Sequence, residues 1–327
     1  MIDFFSLVKD TNAYKIVRGE KSKNTLSHAY ILVCSDEKCL NNYLKEFAKL
    51  LTCEQFDACN TCRVCNLIEK NRHQDIYFYP KTENPVNVED VAEIINESII
   101  KPIESNKKLF VINFKDNASL SVQNKLLKTL EEPPKNVFFL IGVLSEHALL
   151  QTVKSRAKKI EIFPFDKEKL FNALKNELTD EVSLERAISL TDGTVGQTVK
   201  LYNDKNFFST VDLVAETLVN MNSSKNVLEY STKITKLSQE LEDFLSVLEL
   251  ALKDMLVSLE GKENLVQNKE LLAKTKKATG FNVASLLYGL EKVEEAKKRK
   301  KANATNTMLI EWLLLQILEG KFKWQKL

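Results

Sequence analysis

Asn124-Lys-Leu-Leu-Lys-Thr-Leu-Glu-Glu-Pro-Pro134 runs almost directly into Val137-Phe-Phe-Leu-Ile141. Leu126, Leu127 and Leu130 recur at helical spacing. Pro133 and Pro134 then remove two amide donors, so a helix has to end before them. The apolar run that follows has no polar alternation, as expected of a strand buried on both faces of a parallel sheet. A helix that stops on a proline pair and hands over to such a strand is one half of a βαβ unit.

Working outward finds the rest of the sheet. Upstream, Leu109-Phe-Val-Ile112 reads as a second buried strand, and Asn87 is placed to cap a helix carrying Val88, Val91, Ala92, Ile95 and Ile99. Asp75-Ile-Tyr-Phe-Tyr-Pro80 reads as extended. Ala29-Tyr-Ile-Leu-Val33 reads as a strand feeding a helix whose apolar face is Leu40, Tyr43, Leu44, Phe47, Ala48 and Leu51. Downstream, a short helix led by Ser145 and a strand at Ile160-Glu-Ile-Phe163 complete the pattern. Strands alternating with helices predict a parallel α/β domain over residues 1–165. After Pro164 the strand signals cease. Residues 166–206 read as a small helical module and 207–327 as an all-helical domain. Its stripe of Phe244, Leu245, Leu248, Ala251, Leu252, Met255, Leu256 and Leu259, and that of Leu309, Ile310, Leu313, Leu314 and Ile317, read as helix–helix core.

Composition narrows the function. Of 327 residues, 44% are apolar and 28% charged, and 47 basic against 45 acidic side chains leave a net charge of +2. With no global basic excess, any nucleic-acid contact has to be a local patch. Lys297-Lys-Arg-Lys-Lys301 is the dense basic run; it reads either as a solvated helix end or as a phosphate-backbone contact. No stretch is apolar enough to cross a membrane, since Leu309 to Leu318 is broken by Glu311 and Gln316. The first residues lack a secretion signal, so a cytoplasmic location is expected. His28, His73 and His147 are too scattered for a histidine metal centre. The eight glycines are the sharper exclusion, because no two are five residues apart as G-x-x-x-x-G-K-[ST] needs, and none are two apart as G-x-G-x-x-G needs. An ordinary phosphate-cradling loop cannot be written.

Four of the six cysteines cluster as Cys53, Cys59, Cys62 and Cys65, a C-x5-C-x2-C-x2-C arrangement. Four thiolates make a closed tetrahedral shell that suits a structural zinc and leaves no position for a catalytic water. The last three match the start of an iron–sulfur run, but no Cys-Pro follows. A metal-free loop of reduced thiols is the remaining reading. Cys34 and Cys39 stand apart and read as packing residues.

Three stretches, His28-Ala-Tyr-Ile-Leu32, Asn124 to Pro134, and Ser155-Arg156, with the cysteine knuckle between the first two, together resemble the bacterial DNA polymerase III clamp-loader subunits. The resemblance implies an AAA+ (RecA-like) α/β domain with an inserted zinc knuckle at 53–65, a helical lid over 166–206, and a helical collar over 207–327. Asn303-Ala-Thr-Asn306 before an apolar helix is similar to the family's last collar helix. Counted from the anchors, the family's Walker A Gly-Lys-Thr falls on Cys39, Leu40 and Asn41, and its first glycine on Cys34. The Walker B Asp-Glu falls on Asn113 and Phe114, and the sensor-1 threonines on Val143 and Leu144. Gln197 stands where ATPase members carry a basic sensor. Neither the phosphate lysine nor the Mg²⁺ carboxylate is present, so the chain is expected to bind and hydrolyse no ATP.

Arg156 remains, with Ala157 in place of the family's cysteine. An arginine finger acts on a neighbour's γ-phosphate and stays useful in a chain without its own nucleotide. A fold-stabilising surface arginine is the plain alternative. The implied partners are the gamma/tau ATPase and delta subunits, met through the collar, and the sliding clamp and primer-template DNA, met through the complex. Two rivals remain: an active gamma/tau-type ATPase of the polymerase holoenzyme, and a zinc-ribbon nucleic-acid-binding module on a degenerate AAA+ scaffold.

Overall fold

The computed structural model describes residues 2–116, 118–204, 207–237 and 241–323. They form two compact units, Met1–Val199 and Lys200–Leu327.

The first unit is built on five strands: β1 (Ala29–Cys34), β2 (Ile76–Tyr79), β3 (Lys108–Lys115), β4 (Val137–Val143) and β5 (Lys158–Ile162). They are parallel throughout and lie in the order β2-β3-β4-β1-β5. β1, β3 and β4 are buried almost completely, which is why they read as unbroken apolar runs. Alternate residues Ile31, Ile112 and Ile141 join Val91, Ile94, Leu126 and Leu130 in one core cluster beneath helices Val88–Ile99 and Leu120–Glu131. An aromatic ladder of Tyr77, Phe110 and Phe139 crosses three adjacent strands, with ring centroids 5.2 and 5.6 Å apart. Asn87 caps the Val88–Ile99 helix in a reciprocal capping box with Asp90.

Two expected elements take another form. Ser145 leads a single 3₁₀ turn, Glu146–Ala148, and a separate short helix follows at Gln151–Lys154. The break is held by buried Gln123, whose amide donates to the carbonyls of Ala118 and Ala148 and accepts from the Leu150 N–H. β5 covers 158–162 and leaves Phe163 outside, 64% exposed. As an edge strand it tolerates Lys158 and Lys159, which pair with Glu20 and with Glu146 and Glu161. Their charge concealed the start of the strand. Helices Phe4–Val8, Asn12–Ser22 and Arg63–Glu69 were not anticipated at all.

Three helices follow the sheet: Lys167–Leu174, Glu181–Ser189 and Val195–Asn203. At Gly193, φ of +94° and a Phe165 carbonyl 2.7 Å from where a Cβ would sit exclude any side chain. The second unit is helical, with long helices at Leu241–Leu259, Val283–Lys301 and Asn306–Lys323. Phe244, Leu245, Leu248, Ala251 and Leu252 are fully buried, as their stripe predicts, whereas Leu259 at the helix end is exposed. No helix among the described residues is long and apolar enough to cross a membrane.

A four-cysteine centre, a sealed loop and an exposed arginine

The cysteine knuckle assembles from the end of one helix and the start of the next. Cys53 closes the Leu40–Thr52 helix, and Cys62 caps the Arg63–Glu69 helix, whose first turn carries Cys65. Asn60 takes a left-handed φ of 55° to turn the chain between them. The four sulfurs lie within 4.8 Å of one another. Measured edges are 3.6 Å for Cys53–Cys59, 3.8 Å for Cys53–Cys62 and 3.9 Å for Cys59–Cys65. Four thiolates about 2.3 Å from a tetrahedral ion would be separated by about 3.8 Å, close to these three edges, so the donor set could hold a metal ion.

The Cys62 N–H donates to the Cys59 Sγ, and the Cys65 N–H to the Cys62 Sγ. Backbone donors, the Thr61 N–H foremost, pull the Cys59 thiol down to about 6, towards the thiolate that a metal needs. Burial pushes Cys53 and Cys65 upward. The unanticipated Asn12–Ser22 helix holds the knuckle in place. Tyr14 bonds Asp57, Arg18 pairs with Asp57 and stacks on Phe56, and Lys21 Nζ donates to the carbonyls of Cys53 and Gln55. Their sequence signal was a run of polar residues interleaved with Ala13, Tyr14 and Val17, too short to declare itself.

The positions aligned with the nucleotide machinery lie at the carboxyl ends of β1 and β3. Cys34, Cys39, Leu40 and Tyr43 are buried around the loop between β1 and the Leu40–Thr52 helix. Burial pushes the Cys34 thiol up to about 12 and Cys39 higher still, so neither is a nucleophile at neutral pH. Asn113 donates to the Asn41 side chain at 2.7 Å and accepts from the Lys115 N–H. The register of β3 against β4 slips between Asn113 and Lys115, and Phe114 is turned into the core, 3% exposed. Val143 is fully buried and Gln197 half-buried. A cavity of about 530 Å³ beside Asn41 and Asn113 is lined also by Tyr79, Thr82, Lys45 and Lys115. Sequence reasoning missed Asp36. In Ser35-Asp-Glu-Lys38 it looks like an ordinary solvated loop residue, yet it is 5% exposed.

Arg156 follows the short Gln151–Lys154 helix and stands partly open to solvent. Its Nη1 donates to the Thr152 carbonyl at 2.9 Å and to Ser155 Oγ at 3.3 Å, and its Nη2 reaches Glu131 at 3.1 Å. Ser155 in turn donates to the Thr152 carbonyl, so it orients the loop and the guanidinium together. The Nε is buried without an acceptor. Four members of the basic run are engaged locally: Lys297 with Glu249, Lys298 with Glu294, Arg299 with Glu295 and the Trp312 face, and Lys300 with Asn306.

Residues 9–166 match the family described as DNA polymerase III, delta subunit. The chain is 25% identical over 316 residues to the DNA polymerase III subunit delta' of Bacillus subtilis, covering 94% of this chain and 95% of that protein. It is 27% identical over 207 residues to the gamma subunit of Buchnera aphidicola, covering 61% of this chain and 57% of the relative. Among solved structures it is similar to a DNA polymerase III gamma subunit-related protein of Thermotoga maritima, with a TM-score of 0.46 and 17% identity over 95% of this chain and all of that one. The matched residues 9–166 hold the whole five-stranded parallel sheet, and the similarity of this chain is to DNA polymerase III subunits of the delta', gamma and tau kinds.

Proposed function

We propose that this chain is the non-hydrolysing, delta-prime-type member of the clamp loader. In this reading it joins gamma/tau ATPase and delta subunits through a collar at 207–327, helps load the sliding clamp on primer-template DNA, and serves Arg156 to the neighbouring ATP site. Residues 1–165 act as the AAA+ domain and 166–206 as its lid, in the cytoplasm. The observation that carries the reading is the neutral pair at the Mg²⁺ position. Asn113 is bonded to Asn41, and Phe114 is buried where a water-positioning acid would be needed. Arg156, by contrast, keeps part of its guanidinium open to solvent.

Reconstitution with ATPase and delta subunits tests it. The isolated chain should hydrolyse no ATP, and Arg156→Ala should assemble normally while turnover at the neighbouring site falls about 10³-fold. Hydrolysis by the isolated chain would instead make it a gamma/tau-type ATPase. Unchanged turnover in the variant would remove the finger.

The knuckle is assigned a structural zinc through Cys53, Cys59, Cys62 and Cys65, supported by the sulfur spacing. Metal analysis should return about one zinc per chain. Iron with visible absorbance, or no metal at all, would overturn that assignment.

A further inference from the structure

The loop Ser35–Cys39 joins β1 to the Leu40–Thr52 helix, the strand–loop–helix place where a phosphate is held when a fold of this kind carries one. Here a carboxylate lies there. Asp36 Oδ2 accepts the Gly196 N–H at 2.9 Å and the Tyr43 hydroxyl at 3.3 Å. Gly196 is in the first turn of the Val195–Asn203 helix, where amide groups have no intrahelical acceptor. The approach is so close that a Cβ on residue 196 would lie 2.4 Å from Asp36 Oδ1 and 2.8 Å from Lys38 Cβ. Glycine is needed at 196 for proximity; its φ is unexceptional. Two further contacts keep this arrangement in register: Phe165 N–H donates to the Gly193 carbonyl, and Cys39 N–H to the Asp36 carbonyl.

We propose that Asp36 is an internal anion, which fastens residues 194–199 to the β1 loop by its charge and so replaces a bound phosphate as the group joining these two segments. The inference rests on the reading that this chain carries no nucleotide. It adds how the segment after the sheet stays closed without one. A neutral acceptor at 36 could still take one hydrogen bond from Gly196, but it would lose the charge-assisted part and the attraction to the helix's positive end.

Native hydrogen exchange on the full chain separates the two cases, with amides of β1 and β4 as the internal reference. In Asp36→Asn, amides 194–199 should exchange about tenfold faster than in the unaltered chain while the sheet amides keep their rates. Added ATP or pyrophosphate should leave 194–199 of the unaltered chain unchanged, because the position is already filled. Exchange in Asp36→Asn that matches the unaltered chain would overturn the proposal, and so would acceleration shared equally by the sheet. Should Asp36→Asn fail to fold, Gly196→Ala provides the second route. Its methyl pushes the helix off the carboxylate, and the same local acceleration at 194–199 is required, an unaltered rate there being fatal. None of these readouts uses partners or ATP turnover, so they can fail while the Arg156 experiment succeeds, or the reverse.

Discussion

The β1 loop and the Arg156 corner belong to one α/β unit and have opposite characters. Around the loop, the buried polar groups are bonded within the chain. Asp36 is taken by Gly196 and Tyr43, Asn113 by Asn41, and Phe114 by the core. At Arg156 the chain stops short. The guanidinium is partly exposed, one of its partners is a largely exposed glutamate, and its Nε is left without an acceptor. A group satisfied from within the chain adds stability, whereas a charge left partly unmet is available to something else. The contrast is between buried polar groups bonded within the chain and a guanidinium that is only partly covered.

The comparison can be sharpened first at a sealed carboxylate outside the loop. Asp75 is fully buried and accepts the amides of Ile103, Glu104 and Ser105 at 2.6 to 2.7 Å. Burial alone would raise its carboxyl, but the three backbone donors outweigh that and hold it below its ordinary 3.8. Its stabilisation is therefore present in full above pH 3.8 and is lost as pH falls from there through the lower folded value. Asp75→Ala should cost about 3 kcal/mol at neutral pH, and thermal melts should show less acid sensitivity than the parent in that window. Equal acid sensitivity would mean that internally bonded carboxylates here carry little energy.

A smaller effect is expected at the neutral pair. Asn113→Asp places a carboxylate against the Asn41 oxygen, now 2.7 Å from the Asn113 amide, and should lower stability by about 1–2 kcal/mol in urea unfolding. It should confer no Mg²⁺-dependent ATPase on the isolated chain. Appearance of turnover would break the contrast, because the site would then be one substitution from function. The smallest change is expected at Glu131. Its pair with Arg156 is largely exposed, so Glu131→Gln should shift stability by less than about 0.5 kcal/mol. A loss of several times that would make Arg156 a structural arginine after all.

How much of this was legible depended on periodicity and spacing. The buried strands, the proline stop after Glu132 and the Asn87 cap declared themselves, because each is a local rule written in neighbouring residues. The cysteine cluster was equally plain, since four thiols within thirteen residues have few uses. Edge strand β5 was misplaced because charged Lys158 and Lys159 sit on a rim, where burial no longer dictates residue type. The helix over Asn12–Ser22 went unseen, although it pins the knuckle through Tyr14, Arg18 and Lys21.

Local chemistry therefore settled the parallel sheet and the metal-ready knuckle, since buried apolar runs and clustered thiols are written in neighbouring residues. Only folding decided that Asp36 is an internal partner and not a solvated acid. Its acceptor role depends on Gly196, 160 residues away in sequence, and on a clearance that no local pattern encodes. The exposure of Arg156 was likewise set by packing, because what a charge can meet depends on which neighbours the tertiary structure leaves beside it.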